Sequence, residues 1–153
     1  MLNINKIQMT QKSYKKFLES KKEEVVSELM EYFYDLEDEF NVDLKWYSFR
    51  SNEYSLKIET LDGFTIFDLE KVLNKIGESI KRMESIDKFT PFDRRNKKWG
   101  SIEGNGRVWL LFDEIDILDT NEMMCRLDRS EYFLFFYSKE ARPISIFITF
   151  KEI

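Results

Sequence analysis

The spacing of apolar residues changes along this chain of 153 residues, and that change of period limits its fold more than any other feature. A period near 3.6 builds one face of a helix, and a period of two builds one face of a strand. Over residues 11–40 the apolar positions Tyr14, Phe17, Leu18, Val25, Leu29, Phe33, Leu36 and Phe40 sit at helical spacing. No Gly or Pro interrupts them, so the pattern predicts one helix of about eight turns, with Thr10 as its N-cap. Lys21 and Lys22 break the stripe, so its first turns are expected to pack loosely.

The period then drops to two. Val42, Leu44 and Trp46 alternate with polar neighbours, and so do Tyr54, Leu56 and Ile58. With the polar linker RSNE between them, the two runs predict a β-hairpin with one buried face, followed by a turn at Leu61, Asp62 and Gly63. A second helix is expected from about Phe67 to Ile86, with Thr65 and Asp68 placed as a capping pair. Its stripe is Leu69, Val72, Leu73, Ile76, Ile80 and Met83, weakened at Gly77 by about 1 kcal/mol relative to alanine. Residues 87–106 hold three of the five glycines and one of the two prolines, which predicts a long surface loop. Strands are expected at residues 107–115, at the aromatic run YFLFFY of residues 132–137, which reads as a central strand, and around Ile144, Ile146, Ile148 and Phe150. The expected fold class is α+β: one domain over residues 1–153, a mainly antiparallel sheet of about five strands with two helices packed on one face.

Composition narrows the function. There is no histidine, so Ser-His-Asp and Cys-His arrangements and histidine-bound zinc are excluded. The single cysteine, Cys125, cannot form an internal disulfide; it is expected to be a buried thiol in a reducing, cytoplasmic setting. No apolar run approaches the length that spans a membrane, so no membrane association is expected. The formal charge of −5 argues against general affinity for nucleic acid.

Three features remain as candidate sites. Between Lys6 and Lys22 stand six lysines and one acid, whereas Glu23 to Asp43 contains nine acids and no base. That layout opposes the helix dipole, each misplaced charge costing about 0.3 to 1 kcal/mol at low salt. The alternatives are a solvated helix face, or an acidic surface for a basic partner, with Glu28, Glu31, Asp35, Glu37, Asp38 and Glu39 as contacts. The second feature is the loop with Arg94, Arg95 and Trp99, which could contact a protein partner or stack on and grip nucleic acid. The third is the acidic run Asp113, Glu114, Asp116, Asp119 and Glu122, which could hold Mg²⁺ in a nuclease. An E-x-K pair to support such a nuclease is missing, since Lys57 and Glu59 stand in reverse order.

No family motif is recognised in these residues. The expected function is that of a non-catalytic inhibitor without a cofactor, which binds and blocks a basic effector protein, such as a nuclease or its nucleic-acid complex, as anti-CRISPR and toxin-immunity proteins do. A nucleic-acid-binding module using residues 88–107 is the alternative, and a Mg²⁺-dependent nuclease a third.

Overall fold

A computed structural model describes residues 11–50, 52–91, 99–104, 106–112, 117–129 and 144–153. Two units divide the chain, residues 1–31 and 32–153. The first contains helix α1 (Gln11–Met30). The second contains α2 (Asp35–Glu39), β1 (Val42–Arg50), β2 (Glu53–Thr60), α3 (Ile66–Ile86), β3 (Phe89–Pro91), β4 (Gly100–Gly104), β5 (Arg107–Leu111), α4 (Thr120–Arg129) and β6 (Ile144–Glu152). The fold is α+β, with an antiparallel sheet of six strands among the described residues.

The predicted hairpin forms. β1 and β2 pair from Val42↔Thr60 to Arg50↔Glu53, and Asn52, just before β2, takes a left-handed conformation at φ 59°. Gly63, at φ 90°, supplies the positive φ of the following turn, which closes with the Phe64 N–H donating to the Leu61 carbonyl at 3.2 Å. Thr65 then caps α3. Its hydroxyl accepts from the Asp68 N–H at 3.2 Å, and its own N–H donates to the Asp68 carboxylate at 3.0 Å. All six residues of the predicted stripe, Leu69 to Met83, are buried.

Strand β6 lies at the centre. One of its edges pairs with β2, while the other pairs with β4 through residues 144–148 and with β3 through residues 150–152. Alternation then sets the two faces of the sheet. Tyr54, Leu56, Ile58, Ile102, Ile146, Ile148 and Phe150 are buried on one face. Phe33 and Trp46 pack on Phe150 there, with ring centroids 5.5 and 6.4 Å away. Helix α3 packs on β3 and α4, and α4 on β5.

Several expectations need correction. The first helix does not run unbroken through residues 11–40: residues 31–34 form turns between α1 and α2. The cause is tertiary. In a continuous helix the Tyr32 carbonyl would accept the Leu36 N–H; here it accepts the Ser79 hydroxyl at 2.6 Å and the Arg82 guanidinium at 3.3 Å, while the Leu36 N–H turns to Phe33. The expected loop at residues 87–106 contains two strands, β3 and β4, because pairing with β6 satisfies their backbones. Residues 120–129, expected in a strand-rich region, form α4, on which Cys125 is exposed rather than buried, since Met123 and Leu127 take the inward face. The expected central strand at residues 132–137 lies outside the described residues.

Two glycines separate close packing from helix propensity. A Cβ on Gly100 would lie 2.3 Å from the Phe112 ring and 2.6 Å from the Phe147 carbonyl oxygen, neither of which can yield. A Cβ on Gly77 would meet the tip of the exposed Leu118 side chain at 3.0 Å, which can rotate away. Urea unfolding of Gly100→Ala is therefore expected to show a loss of about 3 kcal/mol. Gly77→Ala should stay within about 1 kcal/mol of the parent, helix propensity offsetting the contact. Equal losses in the two variants would contradict this account.

Candidate functional site

The second face of the sheet is polar, and its chemistry is ordered by register. Directly opposed residues of an antiparallel pair share a face, so the pairings define cross-strand rows. Asp43, Glu59, Ser145 and Glu103 form an acidic row across β1, β2, β6 and β4. Lys45, Lys57, Phe147 and Ser101 form the next row, and Tyr47, Ser55 and Thr149 the one after it. Most of these side chains are half-buried rather than sealed in.

Two oppositions in these rows are repulsive, Asp43 against Glu59 and Lys45 against Lys57. The conflict is relieved between the rows. Lys57 Nζ lies 2.6 Å from Glu59 Oε1, and Lys45 Nζ lies 3.4 Å from Glu59 Oε2. The Lys57 ammonium also stands 5.6 Å from the centre of the Phe147 ring, a cation–π arrangement. Its hydrogen bond to Glu59 raises the Lys57 pKa above the ordinary lysine value, with a further Coulombic contribution from Glu103. The same bond lowers the Glu59 pKa below the ordinary carboxylate value, helped by Lys45. In the following row the Ser55 and Thr149 hydroxyls are 3.0 Å apart.

An open cleft of about 440 Å³ lies on this face, lined by Lys57, Glu59, Glu103, Gly104, Ser145 and Phe147 among others. Thr60 and Ile144 also line it, the buried Thr60 hydroxyl accepting the Ile144 N–H at 2.8 Å and donating to the Ile144 carbonyl at 3.2 Å.

The sequence-predicted acids divide. Glu28 is on α1, and Glu31 just beyond its end, both in the first unit. On α2, Asp35 pairs with Lys75 at 3.2 Å, and Glu39 pairs with the same ammonium. These contacts, Glu39 first, raise the Lys75 pKa. Glu37 accepts the Leu44 backbone N–H at 3.0 Å, which holds α2 beside the outer edge of β1. Asp38 is exposed and has no ion pair among the described residues. Arg94 and Arg95 lie outside the described residues. Trp99 is half-buried, its ring 5.3 Å from Phe112 and its carbonyl accepting the Thr149 N–H at 2.7 Å.

Of the expected metal-binding run, Asp113, Glu114 and Asp116 lie outside the described residues. Asp119 instead starts α4, its carboxylate accepting the Glu122 N–H at 3.0 Å. Among the described residues no group of three His, Cys, Asp or Glu is close enough to share a metal ion. The cross-strand rows were missed from the sequence. Their signal was present in the polar positions alternating with the core of β1, β2 and β6, but which polar residues meet depends on register.

Comparison with known proteins finds no family model, curated relative or solved structure that matches the chain.

The charge pairs make a prediction about pH. Glu59 has a lowered pKa, so its contribution to stability is present above the ordinary carboxylate value of 4.5 and is lost as pH falls through the lowered one. Lys57 has a raised pKa, so its contribution is present below 10.5 and is lost as pH rises through the raised one. The stability difference between the parent and Lys57→Met is expected to contain a pH-dependent part below about 1 kcal/mol. That part should be greatest near neutrality and vanish in strong acid. Urea unfolding at both pH values checks it, and an unchanged difference would dissociate Lys57 from Glu59.

Proposed function

We propose that this chain is a non-catalytic inhibitor that binds a basic effector protein, a nuclease being the foremost class, and blocks it in the manner of anti-CRISPR and toxin-immunity proteins. The observation that carries this proposal is an acidic belt. Glu37 of α2 is bonded to the backbone of β1 beside Asp43, and from there the carboxylates continue through Glu59 to Glu103 across the sheet. The exposed Asp38 adds to the α2 end. Lys45 and Lys57 offset part of this charge at Glu59, and the whole chain remains at −5. Such a surface raises the encounter rate with a basic protein and selects against acidic ones.

The sequence expectation places acidic contacts at Glu28, Glu31, Asp35, Glu37, Asp38 and Glu39, and the proposed surface extends to the sheet carboxylates Asp43, Glu59 and Glu103. Asp35 and Glu39 are committed to Lys75, and Glu37 to the β1 backbone. Exposed ion pairs of this kind contribute at most about 1 kcal/mol each to stability. The face is therefore available for recognition at little cost to the fold.

The test begins with a basic protein recovered on the tagged chain after nuclease treatment, then purified for kinetics and for assay of its own activity. Stoichiometric loss of that activity is expected. Asp43→Lys together with Glu103→Lys should slow association about tenfold, while Glu78→Lys on the exposed side of α3 should not. A partner that stays fully active at saturation, or equal slowing by the belt and control variants, would refute the proposal.

A further inference from the structure

The acidic row changes character at its centre. Ser145 on β6 separates Glu59 on β2 from Glu103 on β4, so a small side chain forms the floor between two carboxylates. Adjacent strands lie about 4.8 Å apart, which puts the backbones of Glu59 and Glu103 about 10 Å from each other across β6. Above that floor lies the open cleft of about 440 Å³, with the Phe147 ring among its lining residues. Two carboxylates and an aromatic ring around one opening make a seat for a flat organic cation.

The chain itself supplies a cation to this seat. Lys57 reaches from β2 to Glu59 at 2.6 Å and stands 5.6 Å from the centre of the Phe147 ring. Its ion pair is with Glu59 and not with Glu103; Glu103 has no ion pair among the described residues. The seat is therefore half used. A guanidinium suits it better than an ammonium, because its planar fork can serve two carboxylates at once, stacks on a ring and is more weakly hydrated.

We propose that this cleft receives an arginine side chain of the basic partner, and that Lys57 is a tethered cation which the guanidinium displaces from Glu59 and Phe147. The identity of the partner rests on the inhibitor function proposed above; the cation seat does not. In the displaced arrangement Glu59 and Glu103 share the guanidinium and the Phe147 face covers it. Gly106 borders the cleft with open space where a side chain would stand.

The test needs no partner. The unmodified protein is titrated with N-acetyl-arginine amide, and the backbone amide signals of Glu103, Gly104, Ser145 and Phe147 are followed by NMR. Saturable shifts with a dissociation constant of about 1 mM are expected, weakening as salt is added. N-acetyl-citrulline amide, which keeps the shape and loses the charge, should leave the signals in place. Lys57→Met should tighten arginine binding about threefold by removing the competitor, and Glu103→Gln should weaken it about threefold. Each variant's amide spectrum reports whether it is folded. Equal shifts with citrulline, equal affinity for N-acetyl-lysine amide, or weaker binding by Lys57→Met would each overturn the proposal. Failure of this titration leaves the activity assay on the captured partner intact, and a captured partner that is not inhibited leaves the cation seat intact.

Discussion

Strand β6 is the piece on which the rest of the sheet depends. It is last in the chain, yet it stands between β2 on one side and β3 and β4 on the other. Without it the hairpins β1–β2 and β4–β5 would be separate two-stranded ribbons, which are marginal in water. Ile146, Ile148 and Phe150 bring the buried residues of β2 and β4 into one apolar layer. The pairing joins residues far apart in sequence, Ser55 to Thr149 for example. Loop-closure entropy must be met before that pairing is gained.

Polar contacts to the backbone set the other main feature of the second unit. The Tyr32 carbonyl bonds to Ser79 and Arg82 on α3, and Arg82 also stands 5.9 Å from the Tyr32 ring. Lys75, one turn before Ser79, gathers Asp35 and Glu39. Three residues on one side of α3 thus hold the segment from Tyr32 to Glu39. The buried Ser79 hydroxyl makes the shorter of the two bonds to the Tyr32 carbonyl, and a hydrogen bond of this kind contributes about 0.5 to 1.5 kcal/mol. Intrinsic helix propensity varies by only a few tenths of a kcal/mol per ordinary residue, so the tertiary bond wins.

That comparison explains what was legible in the sequence. The hairpin and α3 were, because their signals are local: alternation within eight residues, a capping pair three residues apart, a stripe that repeats every turn. The break after α1 was not, because its cause lies on a helix more than forty residues away. Strands β3 and β4 read as loop because they are short and rich in Gly and Pro; their strand character comes from β6. Helix α4 had a local signal, Asp119 three residues before Glu122 with Met123 and Leu127 one turn apart, overshadowed by the apolar run that follows. The acidic character of the surface was legible from charge alone. The alignment of Glu59 with Glu103 was not, because it arises only when β6 sets Ser145 between them.

Register therefore specifies both the stability and the chemistry of this protein, through opposite faces of the same strands. On the closed face the alternation buries Leu56, Ile58, Ile146 and Ile148, each contributing about 1.5 to 3 kcal/mol. On the open face it opposes Asp43 to Glu59 and Lys45 to Lys57, pairs that repel and add nothing to folding. The contacts of Lys45 and Lys57 with Glu59 recover only part of that loss. A one-residue slip would exchange the two faces, placing Lys57 and Glu59 in the core, so the apolar layer holds the charged rows in place against their own repulsion.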